Sequence, residues 1–349
     1  ALIGRNDNEI NHKSLHHQFT LHSVIPAPNT ILKNIYKLEP GYSATVTSDG
    51  KILKNKYYTL DDIEINYGIE ENEIIEESER LLMNAIEKRF YTADVDVGVL
   101  LSGGLDSSLI VAMAAKSKLS KINTFSIGFP TINDEVGDEF YYSDMVSKKF
   151  NTNHYKYNIN QDHLMESLDD VIQEMPEPMF SQDSSAFYLL AKEVSKNQKV
   201  VLSGQGADEL FGGYFWYKKM NEMKGSDSER FIENYFDRDH KDYSRTIKER
   251  YVSNNYSEEL IESLFKKQRE DIGYLDKVLR IDLSTLVIDD PVKRVDSMTM
   301  AHGLETRVPF LDIDLVEFLS SIPSTQKLQS DGKYYLKKIA EKYLSKDLI

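Results

Sequence analysis

Two glycine-bearing loops hold the residue types best suited to chemistry. The first, Leu100-Leu101-Ser102-Gly103-Gly104-Leu105-Asp106-Ser107-Ser108, joins an apolar run to a helix-forming one. Gly103 and Gly104 let the backbone turn sharply and approach a ligand closely. The hydroxyls of Ser102, Ser107 and Ser108, with the free N–H groups of a helix starting near Ser107, form an anion nest suited to phosphate or pyrophosphate. Asp106 is foreign to a pure anion nest; its natural role is to hold Mg2+ against phosphate oxygens. A plain helix cap needs one polar residue, not two glycines and four polar side chains in seven positions. No G-x-x-x-x-G-K-S/T occurs, so this is not a Walker A loop.

The second loop runs Val200-Val201-Leu202-Ser203-Gly204-Gln205-Gly206-Ala207-Asp208-Glu209-Leu210-Phe211-Gly212-Gly213-Tyr214. It opens like a dinucleotide fingerprint, but Glu209 stands where the third glycine should be and would repel a pyrophosphate. Asp208 and Glu209 make better sense as a second carboxylate cluster facing Asp106 across a shared Mg2+. The plain alternative is a helix N-terminus, which favours acidic residues. His16, His17, His154 and His302 show no metal-ligand spacing, and His154 reads as a satisfied polar residue opening a strand. Cysteine is absent, which excludes a disulfide, a thiolate metal site and a cysteine nucleophile from this chain.

Both loops need a rigid frame. Strand patterns at Val97–Leu101, Ile122–Phe129, His154–Ile159 and Lys199–Ser203 alternate with helical ones at Ser107–Lys116, Glu139–Phe150, Gln161–Glu174 and Ser184–Lys196. Such alternation implies parallel units with right-handed crossovers, and ligands then sit outside the carboxyl ends of the strands, where both loops emerge. Upstream, an acidic stretch from Asp61 leads into a helix over Glu71–Arg89, with Ile75, Leu82 and Ile86 on one face. Segments Tyr42–Thr47 and Ile52–Tyr58 flank Ser48-Asp49-Gly50, a hairpin signal, so the first ~60 residues read as β-rich and too small for a core of their own. Beyond Phe211 the chain is mostly helical and charged.

The 349 residues carry 42 Lys+Arg against 57 Asp+Glu, a net charge of −15, which argues against a nucleic-acid-coating protein. Tyr36, Tyr42, Tyr57, Tyr58 and the run Tyr214–Tyr217 read as packing, and no basic patch accompanies them, so nucleic acid is not an expected partner. No apolar run reaches the roughly 18 residues that span a bilayer, and Ala1–Arg5 show no signal pattern. With cysteine absent, the expectation is a cytoplasmic, non-membrane setting. No initiator Met is present and both ends look cut.

Five segments in order resemble the ATP-pyrophosphatase domain of glutamine-hydrolysing asparagine synthetases. Ser102–Ser108 is similar to the family's S-G-G-x-D-S-S loop, Phe125–Phe129 to its adenine-facing strand, and Ser203–Tyr214 to S-G-x-G-x-D-E-x-F-G-G-Y. Met300–Asp312 resembles M-A-x-G-x-E-x-R-x-P-F-L-D, and Lys333–Lys337 the late K-x-x-L-R/K element. The resemblance implies an adenine nucleotide α-hydrolase-like α/β fold: a parallel twisted sheet flanked by helices, a helical C-terminal extension and a β-rich N-terminal remnant. Pro26–Ile31 and Leu38–Tyr42 resemble the end of the family's glutaminase domain. Residues 1–60 thus read as the C-terminal remnant of that domain, and 61–349 as the ATP-dependent synthetase domain. The remainder of the glutaminase, with its amino-terminal cysteine, is missing from this chain.

What the resemblance implies is a two-step amidation using ATP and Mg2+. A small-molecule carboxylate, aspartate in the family's namesake, attacks ATP to form an acyl-adenylate and pyrophosphate, and ammonia from a glutaminase displaces AMP. Lys333, Gln205 and Asp106 take the catalytic positions. Leu100, Ser102, Gly103, Gly104, Asp106, Ser107, Ser108, Ile127, Gly128, Ser203 and Gly204 take the nucleotide, and Asp106 and Asp208 the metal; a homodimer is possible. By spacing alone Lys333 is a solvated surface lysine; the family match assigns it charge stabilisation at phosphorus. Glu305 and Arg307 read as a structural ion pair. Position 205 is usually Glu in the family. Gln205 offers a donor and an acceptor but no charge, so it is no base. Acceptors other than aspartate, including sugar uronates, follow as the second reading. A non-catalytic nucleotide-binding scaffold is the third.

Overall fold

A computed structural model describes residues 9–117, 121–129, 140–179 and 181–349. Ala1–Arg5 and the helix start expected at Glu139 lie outside the described residues. The chain divides into two units, each made of two stretches: Ala1–Ile65 with Tyr214–Asp290, and Asn66–Gly213 with Pro291–Ile349.

The first unit opens on helix α1 (His12–Thr20), whose N-cap Asn11 accepts from the backbone N–H of Lys13 at 3.1 Å and Ser14 at 3.4 Å. The buried face of α1 is polar (Ser14, His16, His17, Gln18 and Thr20), so no apolar periodicity announces this helix. Its centre is the Ser257 hydroxyl, 2.8 Å from Nδ1 of His16, 2.8 Å from Nδ1 of His17 and 2.6 Å from Thr20 Oγ1. The expected hairpin follows as antiparallel β1 (Tyr42–Val46) and β2 (Ile52–Lys56). Its further α-helices among the described residues are Phe215–Glu222, Asp227–Tyr235, His240–Thr246, Tyr256–Lys267 and Tyr274–Ile281.

The second unit begins with α2 (Glu71–Tyr91), burying Ile74, Ser78, Leu82 and Ile86. Along the chain then come β3 (Val97–Leu100), α3 (Leu105–Lys116), β4 (Asn123–Gly128), α4 (Phe140–Phe150), β5 (Asn153–Asn158), α5 (Gln161–Glu174), α6 (Gln182–Val194), β6 (Val200–Leu202), the short α7 (Ala207–Phe211) and β7 (Glu305–Arg307). All five strands from β3 to β7 are parallel, in the order β5-β4-β3-β6-β7. This is the expected parallel sheet flanked by helices, extended by a fifth strand, β7, too short for its pattern to be read.

Central strand β3 is buried at every position, as a parallel strand covered on both faces must be. Gly98 clears space on it: a β-carbon there would lie 2.6 Å from the Phe125 ring. That ring stacks on Tyr155 with centroids 5.3 Å apart. Helix α3 is apolar on all sides from Leu109 to Ala114, each at most 1% exposed, which suits a helix sunk within the unit. The strand order positions the site. From β3 the chain builds outward through β4 to β5, then returns to lay β6 on the other flank of β3. The order therefore reverses between β3 and β6, and the crevice at such a switch point receives ligands. The loops that follow β3 and β6 are the two glycine loops.

Candidate active site

The first loop is braced by its own hydroxyls. Ser102 Oγ accepts from the Gly104 N–H at 3.2 Å, and Ser107 Oγ donates to the Gly104 carbonyl at 3.2 Å. The two hydroxyls are 3.2 Å apart. Gly103 takes a positive φ of 91°, turning the chain so that α3 starts at Leu105, two residues before the expected Ser107. Asp106 therefore stands on the first helical turn and not in the loop itself. Ser108 points inward, its hydroxyl fully buried and without a hydrogen-bond partner among the described residues.

Lys333 joins the two loops. Its ammonium lies 3.0 and 2.8 Å from the Asp106 carboxylate oxygens and 2.8 Å from Asp208 Oδ1. Asp208 sits on α7. Lys333 itself precedes the helix Tyr334–Ala340 with a left-handed backbone, φ 52°. Gly213 makes room for the junction, because a β-carbon there would collide with both the Asp208 carboxylate and the Lys333 side chain. Burial raises the Asp106 pKa from its ordinary value; the Lys333 charge works against this and Asp208 adds to it. For Lys333, burial works against the charge, but the two carboxylates more than compensate and hold its pKa up. It is a firmly protonated ammonium.

Beside this junction opens a cavity of about 520 Å³. Leu100, Phe125, Ile127, Phe129, Phe187 and Leu190 form its apolar wall, a slot suited to a flat heterocycle. Ser102, Gly104, Asp106 and Ser107 line it from the first loop, and Ser203, Gly204, Gln205 and Asp208 from the second. Gly103, Ser108, Gly128 and Lys333 do not line it; Lys333 reaches it only through Asp106 and Asp208. Glu209 is buried, 2% exposed, and does not line it either, so the acidic contribution of the second loop to the cavity is Asp208 alone.

Sequence reasoning missed Phe187, Leu190 and Asp183 as wall residues, and reached Phe125 and Phe129 only as part of the adenine-facing strand. Asp183 lies in the first turn of α6, with Ser181 Oγ accepting from its N–H at 3.2 Å, and it pairs with Arg294 at 3.1 Å. The Ser-x-Asp cap signal at Ser181 was the available clue to a helix starting before Ser184. Glu305 and Arg307 do pair, at 2.7 Å, and Arg307 also donates to the Arg89 carbonyl at 2.6 Å, tying β7 to α2. His154 is polar-satisfied: its Nδ1 is 2.9 Å from Thr124 Oγ1, its Nε2 is 3.2 Å from Ser143 Oγ, and burial lowers its pKa.

Among the described residues no three His, Cys, Asp or Glu side chains converge as a metal cage. Two hard carboxylates within reach of one cation are nevertheless the donor set Mg2+ takes when phosphate and water supply its remaining oxygens. Asp106 and Asp208 fit that requirement. Among the described residues no helix is long and apolar enough to cross a membrane.

The asparagine synthase family model matches residues 77–349. The chain is 28% identical to glutamine-hydrolysing asparagine synthetase 1 of Bacillus subtilis, over 97% of this chain and 58% of that protein. It is 36% identical to a putative glutamine-hydrolysing asparagine synthetase 2 of Methanocaldococcus jannaschii, over 61% of this chain and 40% of that one. The chain thus spans about half the length of the curated relatives it matches. Among solved structures, the NH3-dependent NAD synthetase of Campylobacter jejuni aligns all of its length with 59% of this chain, at 14% identity and a TM-score of only 0.28.

Proposed function

This chain belongs to the asparagine synthase family, and on that premise we propose that it activates a carboxylate with ATP and hands it to ammonia as an amide. A carboxylate oxygen of the acceptor attacks the α-phosphorus of ATP, the bond to the bridging oxygen breaks, and pyrophosphate leaves. Ammonia then adds to the acyl carbon of the adenylate, AMP departs, and a proton is lost from nitrogen. The N–H groups of the first loop, with Ser102 and Ser107, hold the pyrophosphate as it gains charge. Leu100, Ile127 and Phe187 clasp the base, while Ser203 and Gly204 attend the ribose and α-phosphate. Lys333 stabilises negative charge at phosphorus and on the leaving group. Asp106 and Asp208 would hold Mg2+, which supplies charge neutralisation on the phosphate oxygens when bound.

The observation that carries this reading is the convergence on Lys333 of Asp106 and Asp208, both of which line an apolar-walled cavity at the sheet's switch point. Aspartate is the proposed acceptor, with ammonia from a glutaminase of which residues 1–60 are the C-terminal remnant and 61–349 the synthetase partner. The setting is cytoplasmic. Gln205 on the cavity wall supports a second reading, in which another acid such as a sugar uronate is amidated. The test is pyrophosphate release from ATP and Mg2+ across a panel of carboxylates with ammonia supplied. Release with aspartate is expected; release with uronates alone selects the second reading. Nucleotide binding without release for any acid would leave a non-catalytic scaffold.

A further inference from the structure

The contacts of Lys333 exceed what charge stabilisation at phosphorus requires. Its ammonium has three donors, and three carboxylate oxygens stand within 3.0 Å of it: both of Asp106 and Oδ1 of Asp208. No donor is left over for a phosphate. Three of the four carboxylate oxygens that the pair offers a divalent cation are thus held by the ammonium, so ammonium and metal compete for the same two side chains. The backbone reinforces the arrangement. Ser330, Gly332 and Lys333 all take left-handed conformations, with φ of 58°, 82° and 52°. A lysine adopts that conformation at a steric cost, which the contacts of its ammonium help to offset here. Gly213 lets the Asp208 carboxylate and the Lys333 side chain close on each other.

We propose that Lys333 is a resident counter-ion that closes the Asp106–Asp208 pair to free divalent cations, so that metal enters only with nucleotide, whose phosphates draw the ammonium off the carboxylates. The proposal rests on the reading of this pair as the metal ligands of ATP-dependent amidation. It makes metal and nucleotide binding mutually reinforcing, each raising the affinity for the other by the same factor. It also gives the ammonium a path: released from two carboxylates, it is delivered to the phosphates that displaced it.

The test is a Mn2+ titration of the full chain without nucleotide, with free Mn2+ read by electron paramagnetic resonance. Wild type is compared with Lys333→Met and Lys333→Gln, each checked for folding by thermal melt. Both variants are expected to bind Mn2+ at least about tenfold more tightly than wild type, because a positive charge has left the site. Adding Asp106→Asn is expected to remove that gain. Equal affinity in wild type and variants overturns the counter-ion role, as does a tight nucleotide-independent Mn2+ site in wild type that Asp106→Asn abolishes; the latter needs no Lys333 variant. The underlying metal reading fails by a different result, in which Asp106→Asn leaves the Mn2+ dependence of binding a non-hydrolysable ATP analogue unchanged.

Discussion

Asp106 and Lys333 are each a condition of the other's charge. A buried carboxylate is costly to ionise alone, and a buried ammonium likewise, so the pair is stable only as a pair. Removing Asp106 leaves Lys333 one carboxylate and takes away a proposed Mg2+ ligand. Asp106→Ala is therefore expected to lower pyrophosphate release at least 10²–10³-fold, on the scale of losing one preorganised charge from a transition state. Turnover at the wild-type rate would sink the assignment of Asp106 to this chemistry. Gly213 offers an independent probe that alters no charge. In Gly213→Ala the new methyl meets the Asp208 carboxylate and the Lys333 side chain. Overpacking of this kind costs about 1–3 kcal/mol of stability, and here the displaced atoms are those of the site. The expected outcome is a modest fall in denaturation midpoint with a far larger fall in turnover. A variant that loses stability but keeps its turnover number would show that the junction tolerates displacement.

At the scale of elements, the sheet holds the cavity through β3 and β4. Phe125 packs over Gly98, stacks on Tyr155 and lines the cavity. Gly98→Ala is expected to push that ring, costing about 1–3 kcal/mol in a urea melt and weakening ATP binding with it. An unchanged nucleotide affinity would separate the strand's packing from the slot's shape. The strands were readable because parallel strands covered on both faces are short apolar runs, and the loops because their chemistry is compressed into a few neighbouring residues. Three things escaped for physical reasons. Helix α1 buries hydroxyls and imidazoles, so it has no apolar stripe. Strand β7 is three residues paired to β6, an identity conferred by its partner rather than its composition. The aromatic wall draws Phe125 from a strand and Phe187 from α6, and only the folded sheet brings them together. The start of α3 moved because a positive φ at Gly103 completes the turn earlier than Ser107 suggests.

At the scale of the whole molecule, pH acts on the first unit through α1. His16 and His17 are almost fully buried around the Ser257 hydroxyl, and His16 Nε2 meets His240 Nδ1 at 3.0 Å. Burial lowers the pKa of His16 to about 4, with the neighbouring His240 adding to it, and that of His17 to about 3, with Lys13 and His16 adding to it. Both values lie below the ordinary 6.5, so the unfolded chain binds more protons than the native one as pH falls. The contribution of these histidines is thus complete above pH ~6.5 and is lost progressively as pH drops toward about 4 and below, by up to ~1.4 kcal/mol per pH unit for each. The single tryptophan, Trp216, belongs to this unit, so its fluorescence in urea melts reads the effect directly. Midpoints are expected to fall between pH 6.5 and 4, and His17→Gln is expected to flatten the fall; a slope unchanged by that substitution would place the titration elsewhere. The interleaving of the units has its own consequence for how the protein is made. Each unit is assembled from two stretches, so the polypeptide passes between them three times. Asp106 and Lys333 are 227 residues apart. At about 5–20 residues per second on the ribosome, roughly 10–45 s separate the synthesis of the two. For most of that interval the partners that cover the apolar stretch Leu109–Ala114 of α3, namely α2, β3 and α4, have already been made, while the helix Tyr334–Ala340 that also touches it has not. What waits is the charge junction: the nascent chain carries Asp106 and Asp208 without their ammonium until Lys333 emerges.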